Sequence, residues 1–145
     1  MSIAFQSRKY THVLLAGFLL LTSVSGPTQA AAAPASVVRC WGSIDKPHKS
    51  SHFKGTINAQ SKIKCTENMT SISGDVVLRR DDGVVASSKI VTVRGKKLWK
   101  ANAAIKCDGK KHTYTATVSV AWTAPRGMKP PMGSQKFTKR ATEKC

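Results

Sequence analysis

Thr113-Tyr114-Thr115-Ala116-Thr117-Val118-Ser119-Val120-Ala121-Trp122 puts its largest apolar side chains at every second position. Tyr114, Ala116, Val118, Val120 and Trp122 share one face, and threonine, serine and alanine fill the other. A period of two predicts a strand with one buried and one wet face. β-Branched and aromatic residues fit such a pleated surface.

The same alternation recurs on both sides of this stretch. Ile57, Ala59, Ser61, Ile63 and Cys65 face one way, and Thr56, Asn58, Gln60, Lys62 and Lys64 the other. Trp99, Ala101, Ala103, Ile105 and Cys107 repeat the pattern. Shorter strands are expected over 37–42, 74–80, 84–93 and 135–144. Asp81-Asp82-Gly83, Arg94-Gly95-Lys96 and Asp108-Gly109 are turn sequences. No helix of useful length is expected. The fold class is all-β: an antiparallel sandwich of about seven short strands, with a small barrel as the alternative.

The N-terminus reads as an export signal. Arg8 and Lys9 precede an uncharged, apolar run over 13–21, too short to span a membrane. Small residues follow, and cleavage is expected after Ala30. Residues 1–30 are thus a signal peptide, and 31–145 a single secreted β-domain without a transmembrane segment. The expected location is extracellular.

Cys40, Cys65, Cys107 and Cys145 all fall in that domain. An even count in a small exported domain predicts two disulfides. Cys65 and Cys107 are in phase with the apolar faces, as structural bridges would be. Antiparallel neighbours favour Cys40–Cys65 with Cys107–Cys145; Cys65–Cys107 with Cys40–Cys145 is the second arrangement.

The chain has 24 lysines and arginines against 7 acids, and only Arg8 and Lys9 fall in the leader, which leaves +15 on the domain. Such an excess favours polyanionic partners. The expected function is therefore a secreted, non-enzymatic binding protein. Its ligand would be an anionic polymer or surface such as cell wall, glycan or nucleic acid.

If each strand runs the full height of the domain, the connections over 45–53, 79–83 and 108–112 share one end. That end would gather His48, His52, Arg79, Arg80, Lys110, Lys111 and His112 as an anion-binding mouth. The same histidines suggest a second reading, a secreted ribonuclease-like hydrolase using loop histidines for acid–base work. The proline-rich segment 124–134 carries a third, an inhibitor or antagonist of an extracellular protein, with Arg126, Met128 and Lys129 at the contact.

No Gly-x-Ser-x-Gly elbow or Gly-rich phosphate loop occurs. His48 and His52 lie beside Pro47 in a loop without a third ligand, so no metal is expected, and no organic cofactor. Trp99 and Trp122 are in phase with the core. Trp41 is out of phase with Cys40 and is expected to be exposed.

Overall fold

The structure, a computed structural model, describes residues 34–145; the signal peptide expected over 1–30 lies outside the described residues. The described chain holds nine strands and no helix. They are β1 (Cys40–Ile44), β2 (His48–Lys49), β3 (Thr56–Met69), β4 (Ser71–Arg80), β5 (Val85–Ser87), β6 (Val91–Val93), β7 (Lys96–Lys106), β8 (Lys111–Thr123) and β9 (Met132–Lys144).

Two antiparallel sheets form. In the first, β3 pairs with β7 along one edge and with β1 and β2, end to end, along the other. In the second, the order is β9-β8-β4, with β5 and β6 end to end on the far edge of β4. Each named strand pairs only within its own sheet. The sandwich expectation stands and the barrel alternative falls.

The alternation in the sequence builds the core. Ile57, Ala59 and Ile63 from β3 and Trp99, Ala101, Ala103 and Ile105 from β7 line one inner face. Ile72, Val76 and Leu78 from β4, with Tyr114, Ala116, Val118, Val120 and Trp122 from β8, line the other. The Trp99 indole N–H crosses the core to donate to the Val91 carbonyl at 2.8 Å, which satisfies the polar end of a buried ring.

Both disulfides follow the favoured pairing. Cys40 and Cys65 are direct register partners of β1 and β3. Cys107 and Cys145 join the exit of β7 in the first sheet to the end of β9 in the second.

Several expectations need correction: nine strands form rather than about seven, His48 and Lys49 pair with β3 as β2 instead of lying in a loop, and β4 begins at Ser71 rather than Gly74. The strand expected over 84–93 is broken into β5 and β6. Ser88 causes the break: its Oγ accepts the Val76 N–H at 2.8 Å, and its own N–H donates to the Val76 carbonyl at 2.8 Å. The first strand begins at Cys40 rather than Val37, because the segment before it pairs elsewhere. Val38 N–H donates to the Lys129 carbonyl at 2.8 Å, and Lys129 N–H to Ser36 at 3.0 Å. β3 runs past Cys65 to Met69, with a register shift after Lys64. Finally, the connector expected to reach Ser134 ends at Pro131. Its base is closed by the Ala124 N–H on the Pro131 carbonyl at 2.8 Å.

β4 follows β3 almost directly, so Arg80 and Thr56 lie at the same end of the sandwich. That end also carries the β7–β8 turn, the segment before β3 and the Cys107–Cys145 bridge. The β6–β7 turn and the 124–131 connector occupy the opposite end.

Candidate functional site

Arg79 and Arg80 are neighbours in sequence but go to opposite faces of β4. Arg79 points outward, whereas Arg80 continues the inward row of Ile72, Val76 and Leu78 and is buried. A guanidinium at the mouth of an apolar core needs partners. The β4–β5 turn supplies one: Arg80 Nε and Nη2 donate to the two carboxylate oxygens of Asp82 at 2.8 and 2.7 Å. The β7–β8 turn supplies another, Asp108, at 3.3 Å from Nη1.

His112 sits between the same two turns. Its Nδ1 lies 2.8 Å from Asp81 Oδ1, and its Nε2 lies 2.8 Å from Asp108 Oδ2. Two carboxylates can be satisfied together only by the imidazolium, which donates from both nitrogens. Asp81, then Asp108, accordingly raise the His112 pKa above its ordinary 6.5.

The acids shift the other way. The Thr113 N–H and then His112 lower Asp81. Arg80 lowers Asp82 to about 2. The Lys110 N–H, with His112 and Arg80 behind it, lowers Asp108. Asp82 acts first in raising Arg80 above its usual range.

Two members of the expected anion mouth are therefore engaged within the fold. Arg80 and His112 are held on acids at the loop end and offer no free cation to a ligand. Lys110 and Lys111 are exposed there, as are His48 and His52. His48 Nδ1 donates to the Lys46 carbonyl at 2.9 Å. Among the described residues no hydrogen bond joins the three histidines. His112 has both nitrogens engaged, so as the imidazolium it has no lone pair to act as a general base. Asp81, Asp82 and His112 also bring ligand-type atoms within 4.8 Å of one another, but those groups are taken up by Arg80, Thr113 and Asp108.

Unpaired cations also stand on the outer faces. On the second sheet Arg79, Thr115 and Arg140 form one register row across β4, β8 and β9. They border a shallow hollow of about 310 Å³. On the first sheet Trp41, Lys64 and Leu98 form one row, and Ser43, Lys62 and Lys100 the next. Trp41 is 51 % exposed, as its phase requires.

In the 124–131 connector Arg126 is exposed and Met128 is half-buried against the core. Lys129 has its backbone paired to Ser36 and Val38.

Lys62, Lys64, Lys100 and Arg140 were not singled out from sequence as binding residues. Alternation already placed Lys62 and Lys64 outward. Their juxtaposition with Lys100, and that of Arg140 with Arg79, depends on register. Compared with protein families, curated proteins and solved structures, the chain matches none. The functional reading therefore rests on these residues.

Proposed function

We propose that the protein is a secreted, non-enzymatic binding module that engages anionic polymers or surfaces. One observation carries the reading. Among the described residues the ion pairs involve only Arg80 and His112, and they take up Asp81, Asp82 and Asp108, three of the chain's seven acids. The other lysines and arginines have no ion-pair partner there.

Their positions support a ligand role beyond solubility. Lysines on an edge strand such as β9 or β7 blunt unwanted strand pairing. Lys62 and Lys64 lie on β3, which is paired along both edges and needs no such protection. Lys62 stands directly opposite Lys100, and like charges in that relation repel. A bound polyanion would relieve the repulsion. Two disulfides suit an oxidising compartment, in keeping with secretion.

The test is salt dependence. Heparin and polyphosphate should both bind the full domain. With about six charge contacts, affinity should fall by roughly 10³ between about 50 and 200 mM salt. Affinity that does not move with salt rejects the proposal.

A further inference from the structure

The outer face of β1, β3 and β7 joins an exposed indole to unpaired cations and a row of neutral amides. We infer that this face is a site for an acidic polysaccharide. Trp41 is the platform on which a sugar ring lies, and Lys64, Lys62 and Lys100 hold its carboxylate or sulfate groups. The inference rests on the polyanion reading and names the place and class of its ligand.

Trp41 is held outward by covalent geometry. Cys40 is fixed against Cys65 by the disulfide, and the next residue along the strand must face the other way. The ring borders a hollow of about 240 Å³ that it shares with Ser43, Lys62 and Lys64. A second hollow of about 250 Å³ adjoins it through Ser43 and Lys62 and reaches Lys100, Gln60 and Asp45. Together they make a shallow track across three strands rather than a closed pocket, the shape a chain ligand needs.

The three lysines of the track are closely spaced. Lys62 and Lys64 are two residues apart on one face, roughly 7 Å. Lys62 and Lys100 are direct cross-strand partners, with Cα atoms about 5 Å apart. The next row carries Gln60 opposite Asn102, and the Asn102 amide donates to Asn58 Oδ1 at 3.3 Å. Primary amides both donate and accept, as sugar hydroxyls do. Asp45 stands beside this row as an acceptor.

That mixture selects a ligand class. Polyphosphate has neither hydroxyl groups to pair with Asp45 and the amides nor an apolar face to lie on the indole. A nucleic acid strand binds by stacking successive bases on several aromatic side chains, and this track has one ring followed by amides. An acidic polysaccharide carries hydroxyl groups and apolar ring faces beside its charges. It matches the ring, the cations and the amides together.

The test uses the full chain and five probes: polygalacturonate, heparin, neutral dextran, polyphosphate and oligo-dT. Trp41→Ala should weaken polygalacturonate and heparin by roughly tenfold and leave polyphosphate within about twofold. Lys62→Gln with Lys100→Gln should weaken the two acidic glycans more than Lys54→Gln with Lys89→Gln, which removes the same charge elsewhere. Dextran should bind at least tenfold more weakly than polygalacturonate, a threshold of about one decade in affinity.

Unchanged glycan affinity in Trp41→Ala, with salt-dependent binding intact, overturns this site and spares the polyanion reading. Oligo-dT bound more tightly than either glycan, with the same dependence on Trp41, overturns the ligand class. Failure of every anionic probe overturns both.

Discussion

His112 donates from both ring nitrogens, so its charge is part of the fold. The folded state binds that proton more tightly than the unfolded chain. Its stabilisation is therefore complete below the ordinary pKa of 6.5 and is lost as pH rises through the raised folded value. Asp81, Asp82 and Asp108 act in the opposite sense. Their stabilisation is present above the ordinary 3.8 and is lost as pH falls through their depressed values, about 2 for Asp82.

The cluster thus contributes most between about pH 4 and 6.5. His112→Gln should lower the melting temperature at about pH 5 and have much less effect at about pH 9. Equal losses at the two pH values would show that the ring's charge is irrelevant. The three acids were legible in sequence only as turn residues. Their partners come from separate strands, and nothing in local pattern brings Asp81 and Asp108 to one ring.

At the scale of the strand, Gly74 shows how tightly β4 and β8 approach. A Cβ there would lie 2.5 Å from the Ser119 carbonyl oxygen and 2.9 Å from Val120 Cα, both backbone-attached and unable to swing aside. Gly74→Ala should cost roughly 1–3 kcal/mol, the range for overpacking. Chemical denaturation measures it, and a stability unchanged within error would mean the strands can separate without penalty.

The strands themselves were largely legible, because period-two alternation follows from the pleat alone. Their breaks were not. Ser88 interrupts the 84–93 strand by a side-chain bond to Val76, twelve residues away, and that bond exists only once β4 is in place. Arg80 was misplaced for a related reason. Its sequence neighbour Asp81 begins a turn, but β4 keeps its inward phase through Arg80 to the strand's last residue.

Across the whole molecule, Cys107–Cys145 differs from Cys40–Cys65 in what it joins. The latter links neighbours that already share a hydrogen-bonded ladder. The former links the two sheets and closes a 38-residue separation in sequence. Replacing Cys107 and Cys145 together by alanine should cost roughly 2–5 kcal/mol, read as a lower urea midpoint. A midpoint equal to that of the parent would show that core packing alone holds the sheets in place.

The all-β class, the inward residues of the long strands, the favoured one of two disulfide pairings and the strongly basic character are readable from the sequence. These follow from local periodicity, cysteine phase and charge count. Only the tertiary structure decided which cations are free. Two turns place Asp82 and Asp108 on Arg80 and Asp81 and Asp108 on His112, while register aligns Lys62 with Lys100 and Arg79 with Arg140. Charge is a property of residues, but neutralisation is a property of distance, and distances between strands are set by folding. The basic β-sandwich thereby gains rows of unpaired cations on its outer sheet faces, while Arg80 and His112 at the loop end are held on acids.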